Sequence, residues 1–179
     1  NKLNIHGLKK TLPYLRTENG NPIYQSHGLG WQMSPYIESE EILRPDWAFT
    51  KDTGAEFAEF IIQMISTSKK IGIISADLPF FSIKKYIRSI ALQISEHNPE
   101  ITELVNPAID FLEKSFFKSH DSLREGFCHG DIHPLNAIWK NGSIIAVIDW
   151  EFMGIKPEIY DLANLLGCIG MESPESLGG

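Results

Sequence analysis

The spacing of apolar residues changes twice along the chain. From residue 11 to 38 it is short and alternating. Leu12-Pro13-Tyr14-Leu15, the turn residues Asn19-Gly20-Asn21-Pro22 and then Ile23-Tyr24-Gln25 predict a first hairpin. A second turn at Gly28-Leu29-Gly30 leads into Trp31 to Glu38, where Trp31, Met33 and Pro35 alternate with polar neighbours as in a half-buried strand. Pro35 has no N–H to donate, so that strand is expected at an edge or a crossing.

The period then becomes helical. A long helix is predicted from Asp46 or Thr50 to about Ser66, with Phe57, Ile61, Met64 and Ile65 on one stripe and Phe60 widening it. Ile71 to Pro79 reads as a loop closed by Asp77-Leu78-Pro79. A second helix is expected from Ile83 to Ile94, with Ile83, Tyr86, Ile87, Ile90 and Ile94 on one face and Asn98-Pro99 stopping it. A third is expected to start near Pro107, which suits a first-turn position, and to bury Ile109, Leu112, Phe116 and Phe117. Ser119 to Glu125 reads as a linker. Beyond it, Ala137-Ile138-Trp139 and Ile144 to Ile148 flank Asn141-Gly142, the strongest short signal for a two-residue hairpin. Pro157 interrupts the chain, and a last helix is expected from Tyr160. The pattern is α+β: a small β region, then a mainly helical body that carries one hairpin.

Bulk properties narrow the class. With 42% hydrophobic and 22% charged residues among 179, the chain has the composition of a soluble globular protein. Its net charge of -7 argues against nonspecific nucleic-acid binding. Two cysteines far apart in sequence form no disulfide framework, so a reduced, cytoplasmic setting is expected. No apolar run reaches membrane-spanning length, and the first residues lack the pattern of a signal peptide. Gly28-Leu29-Gly30 lacks the third glycine of a dinucleotide loop, since position 33 is Met, and reads as a turn.

The chemistry concentrates in Phe127-Cys128-His129-Gly130-Asp131-Ile132-His133-Pro134-Leu135-Asn136 and in Ile148-Asp149-Trp150-Glu151. A hairpin turning at Asn141-Gly142 returns Asp149 to Asn136, close to Asp131. These three side chains offer hard oxygen ligands, which suit Mg²⁺ better than zinc. One aspartate left over can serve as base toward a hydroxyl, which is the equipment phosphoryl transfer needs. A rival reading takes His129, Asp131 and His133 as alternating ligands of a metal-dependent hydrolase, but no second ligand cluster supports it. His129 reads more simply as a core histidine, and Asp161 as a helix N-cap.

The runs His129 to Asn136, Ile148 to Glu151 and Asp161-Leu162-Ala163 resemble the aminoglycoside phosphotransferase and choline kinase family, small-molecule kinases of protein-kinase-like fold. The spacing of Asp131 to Asn136 matches the H-R-D-x-x-x-x-N loop, with Gly130 in place of Arg. The resemblance implies an ATP- and Mg²⁺-dependent transfer to a hydroxyl of an amino alcohol, aminoglycoside, sugar or homoserine-like molecule. It makes Asp131 the base and places His133 near the transferred phosphate. Asn136 and Asp149 would hold the metal ions against the phosphates, and His129 would brace the loop. Trp31 to Glu38 becomes the last strand of an N-lobe running into a hinge, where Met33, Ser34 and Tyr36 would meet adenine. Residues 1–38 are then the end of the N-lobe and hinge, and 39–179 a C-lobe, both expected to be truncated. The phosphate-covering loop, the strand lysine and its glutamate would precede residue 1, so this chain alone is expected to be a poor kinase. A nucleotide-binding module without catalysis is the non-enzymatic alternative. No nucleic-acid or membrane partner is expected.

Overall fold

The computed structural model describes residues 2–73, 78, 81–173 and 175. A short helix α1 (Lys2–Ile5) opens the chain, and strands β1 (Tyr24–Ser26) and β2 (Leu29–Trp31) follow as an antiparallel pair. Their turn is His27-Gly28, both in the left-handed region at φ 53° and 75°, as a tight two-residue hairpin requires. The hairpin thus forms one turn later than predicted. Residues 17–21 do make a turn, closed by Thr17 and Asn21, but Pro13 and Pro22 remove donors beside it and no ladder forms there.

After Trp31 the backbone runs extended without a continuous partner. Leu15 N–H donates to the Met33 carbonyl at 2.7 Å, and Glu40 N–H to the Trp139 carbonyl at 2.9 Å. The half-buried strand expected from Trp31 to Glu38 therefore does not form: β2 ends at Trp31, and Trp31, Met33 and Tyr36 are exposed, because single bonds to separate neighbours replace a ladder.

A 3₁₀ turn at Asp46–Phe49 leads into α2 (Lys51–Lys70), the helix around which the core is built. Its buried stripe is Phe57, Phe60, Ile61 and Met64, as the spacing predicted. Phe57 meets Trp139 edge-on at 5.6 Å and Phe60 meets Trp150 at 6.2 Å. Glu56 on the same helix binds Lys10 at 2.8 Å and the Ile144 N–H at 2.9 Å, tying the N-terminal segment to the hairpin. Asp77 and Pro79, expected to close the following loop, lie outside the described residues.

Helices α3 (Ile83–His97) and α4 (Pro99–Phe111) form a pair in which no residue is fully buried. Pro99 both ends one helix and opens the next, so Pro107 lies inside α4 and not at the start of a third helix. A π turn (Leu112–Phe116) and α5 (Phe117–His120) complete the run, and of the four residues expected to be buried only Phe117 is.

Strand β3 (Glu125–Cys128) pairs antiparallel with β6 (Gly154–Pro157), a sheet the apolar pattern does not reveal. Between them lies the predicted hairpin of β4 (Ala137–Lys140) and β5 (Ser143–Val147). Asn141 and Gly142 have φ of 51° and 73°, as the Asn-Gly signal predicted. Helix α6 (Tyr160–Glu172) follows β6. Among the described residues no helix is long and apolar enough to cross a membrane.

Candidate active site

The loop after β3 is held from below by α6. Asp161 is not the cap of its own helix, as the sequence suggested; Ile159 occupies that position. Its two carboxylate oxygens instead accept from the backbone N–H groups of His129 and Gly130, each at 2.8 Å. Burial raises the Asp161 pKa above the usual carboxylate value, while the Gly130 and His129 N–H groups pull it down. Asn164, one turn along α6 on the same face, donates to the Ile132 carbonyl at 3.1 Å.

His129 is fully buried against the Trp150 ring, with centroids 4.5 Å apart. Its Nε2 lies 2.9 Å from the Ile148 carbonyl, and its Nδ1 accepts the Asp131 N–H at 3.2 Å. A carbonyl only accepts and an N–H only donates, so the ring is the neutral Nε2–H tautomer. Burial lowers its pKa, which agrees. With both nitrogens occupied by backbone it is not available as a metal ligand. Among the described residues no three His, Cys, Asp or Glu side chains stand together as a metal site, which removes the support for the hydrolase reading.

The structure brings Asp131, His133 and Asn136 together. Asn136, buried in a 3₁₀ turn (Pro134–Asn136), donates from Nδ2 to the Asp131 carbonyl at 2.9 Å and to Asp131 Oδ2 at 3.0 Å. His133 Nε2 stands 3.4 Å from the same Oδ2. The Ile148 N–H donates to the Asn136 carbonyl at 2.9 Å, so the two ends of the hairpin meet and Asp149 follows directly. Asp149 has φ of 61°. The adjoining Trp150 is fixed by its indole N–H on the Val147 carbonyl at 2.9 Å and by stacking on Phe127. With Asn136 Nδ2 committed to Asp131, its Oδ1 and the Asp149 carboxylate are the oxygens left for a metal. That pair fits Mg²⁺, which takes few protein ligands and leaves room for phosphate oxygens.

Two cavities adjoin this group. One, of about 420 Å³, has Ser34, Pro35, Tyr36 and Ile37 on one side and Ile138, Ile148, Asp149 and Trp150 on the other. Ser34 and Tyr36 thus face Asp149 across it. Met33 does not line it; its side chain belongs to a separate groove with Leu15, Tyr24 and Trp31. The second cavity, about 530 Å³, runs from His133, Pro134 and Leu135 to Ile42, Trp47 and α6. At its far end Arg44 and Glu172 pair through two hydrogen bonds. Sequence reasoning missed Tyr14, Ile138 and Ile148 as cleft walls and Asn164 as a brace. The placement of Asn164 three residues after Asp161 was the one signal available for it.

Comparison with known proteins gives consistent findings. A model of the phosphotransferase enzyme family matches residues 6–178. A probable choline kinase 2 from Arabidopsis thaliana is 33% identical over 63 residues, covering 35% of this chain and 17% of that protein. Among solved structures, spectinomycin phosphotransferase in complex with ADP and spectinomycin superposes with a TM-score of 0.61 at 20% identity, over 98% of this chain and 59% of its own. An aminoglycoside phosphotransferase from Alicyclobacillus acidocaldarius gives 0.60 at 14% identity, over 94% and 55%. The chain thus spans a little over half the length of these solved relatives. What it shares with them is the fold, the α+β, protein-kinase-like architecture expected from the sequence.

Proposed function

We propose, from the premise that the chain belongs to the phosphotransferase enzyme family, that it moves the γ-phosphate of ATP to a hydroxyl of a small molecule. The observation that carries this is Asn136, whose side chain binds Asp131 while its carbonyl binds the residue before Asp149. Asn136, through its side-chain amide and its backbone carbonyl, thereby ties the proposed base Asp131 to the segment that leads into Asp149, which lines the smaller cleft. The small-molecule kinase class follows from the family; ATP, Mg²⁺ and the acceptor are our reading.

In this reading the nucleotide base lies in the smaller cleft against the 34–37 segment, with Ser34 and Tyr36 nearest to it. Asn136 Oδ1 and the Asp149 carboxylate would hold Mg²⁺, which would supply positive charge to offset that on the phosphates. The acceptor enters the larger cavity beside His133. Its hydroxyl oxygen attacks the γ-phosphorus, the bond to the β-bridging oxygen breaks, ADP leaves, and the hydroxyl proton passes to Asp131. Asn136 and His133 hold Asp131 in line for that transfer. General-base catalysis of this kind contributes roughly 10²- to 10⁴-fold.

The solved likenesses include a phosphotransferase in complex with ADP and spectinomycin, which supports a small-molecule acceptor for this chain. The test uses full-length protein, Mg²⁺–ATP and a panel of amino alcohols, aminoglycosides, sugars and homoserine. Wild type is expected to phosphorylate at least one class, and Asp131→Asn to lose 10²-fold or more of kcat, on the order set by general-base catalysis. An Asp131→Asn variant as fast as wild type would refute the assignment of the base.

A further inference from the structure

A buried ammonium stands directly behind the loop that carries Asp131, and the reaction above gives it no task. Lys156 is 4% exposed and sits on β6 opposite Gly126. Its Nζ donates to the Phe152 carbonyl at 2.7 Å and lies over the rings of Phe81 at 4.6 Å and Tyr160 at 5.1 Å. Burial pushes its pKa below the ordinary lysine range, with Cys128 and Asp161 acting the other way. An ammonium held by a carbonyl and two ring faces is costly to bury. Such a group beside a reacting centre calls for a reason.

Lys156 secures a close approach. Gly130 has φ of +92°, and a Cβ built there would overlap the Phe152 carbonyl oxygen and stand 2.9 Å from Lys156 Nζ. The carbonyl–ammonium pair is therefore one wall against which the loop backbone turns. Asp161 is the other, through its bonds to the His129 and Gly130 N–H groups. Asp131 is the next residue along.

We propose that Lys156 is a positioning residue for the transfer: its ammonium holds the Phe152 carbonyl against Gly130 and so sets the direction in which Asp131 leaves the loop. The proposal rests on the phosphotransferase reading. Lys156 touches neither substrate and acts through Gly130. A neutral side chain of similar length fills the space but takes from the part-buried Phe152 carbonyl the donor that Lys156 supplies, leaving it free to tilt. The two aromatic faces keep the ammonium from swinging toward solvent.

The experiment uses the full-length protein with Mg²⁺–ATP and water as acceptor, read as ADP release, with Asp131→Asn as the zero. Lys156→Met is expected to lose at least tenfold in kcat while the KM for ATP stays within twofold. Its Gly130 amide is expected to exchange at least tenfold faster than in wild type. Lys156→Arg, which keeps a charged donor, is expected to recover at least a third of the lost rate. A Met variant with wild-type kcat, or with a Gly130 amide as protected as in wild type, overturns the proposal. If Lys156→Met does not fold, Phe81→Leu removes one ring face from the native lysine. It is expected to lower kcat about threefold at constant KM, on the scale of one cation–π contact, and an unchanged kcat there also overturns the proposal. Failure of the phosphotransferase reading shows differently, as wild-type ADP release that does not depend on Asp131. The amide measurement decides on the hold of Lys156 in either case.

Discussion

Asp149 occupies a backbone conformation that few side chains accept. At φ 61° it lies in the left-handed region, which costs an L-residue about 1 kcal/mol or more, although aspartate tolerates it better than most. Asp149→Gly is therefore expected to melt at or slightly above wild type, since the relief of about 1 kcal/mol is offset by glycine's greater freedom in the unfolded chain. Phosphate transfer from Mg²⁺–ATP should be lost. Asp149→Ala keeps the strain and should melt lower. Thermal melts beside the ADP-release assay separate these outcomes, and a glycine variant melting far below wild type would mean that the carboxylate serves structure, not metal. At this scale the sequence was readable where chemistry is local. Asp131 and Asn136 lie in one loop, and the hairpin returns Ile148, and with it the start of the Asp149 segment, to Asn136, so this much follows from a turn signal. Lys156 was not readable, because its burial exists only once β6 pairs with the distant β3.

Elements were legible to the extent that neighbouring residues determine them. The stripe of α2 and the Asn141-Gly142 turn needed no distant information and appeared as predicted. The first hairpin was placed one turn early because two turn signals compete there, and only hydrogen-bond donors, absent at Pro13 and Pro22, decide between them. Pro107 misled because a first-turn proline and a tolerated internal one look alike in sequence. Strand β6 reads Gly-Ile-Lys-Pro, a composition that suggests a loop, yet all four residues are buried. Two glycines test how element and loop differ in tolerance. Both have left-handed φ, 73° at Gly142 and 92° at Gly130. A Cβ on Gly142 meets nothing within 4 Å, whereas on Gly130 it strikes the Phe152 carbonyl. Gly142→Ala should cost only backbone strain, about 1 kcal/mol or a drop of roughly 2–4 °C in Tm, with most activity kept. Gly130→Ala should lower Tm at least twice as far and abolish turnover, because the obstructing backbone is pinned by Lys156. Equal effects in melts and turnover would contradict the close packing at Gly130.

For the molecule as a whole, the fully buried His129 links the active loop to stability against acid. Neutral His129 joins two parts of the core, donating to Ile148 at 2.9 Å and accepting from Asp131 at 3.2 Å. A second proton on Nδ1 would oppose the Asp131 N–H, so the folded state resists it, and burial lowers the pKa accordingly. The unfolded chain takes up that proton near pH 6.5. A group whose pKa is depressed on folding contributes stability that is complete above the unfolded value and is lost as pH falls below it. Glu56 and Glu158 have the same sign at a lower pH: burial alone would raise them, but Lys10 and the Ile144 N–H hold the first below its ordinary value, and Lys69 and Arg124 the second. Their contribution fades only as pH falls below about 4.3, the ordinary value for glutamate. Asp161 has the opposite sign, since its raised pKa lets the folded state take up a proton before the unfolded chain does. The decline of wild-type stability is therefore expected to begin below about pH 6.5, well above the carboxylate range. His129→Gln cannot titrate. It should melt lower than wild type at pH 8, by about 1–3 kcal/mol for the disturbed buried hydrogen bonds, and its Tm should change less between pH 7 and 5. Melting curves of both proteins at pH 8, 7, 6 and 5 check the sign. If the variant loses as much Tm over that interval as wild type does, the acid sensitivity arises elsewhere and His129 is not its source.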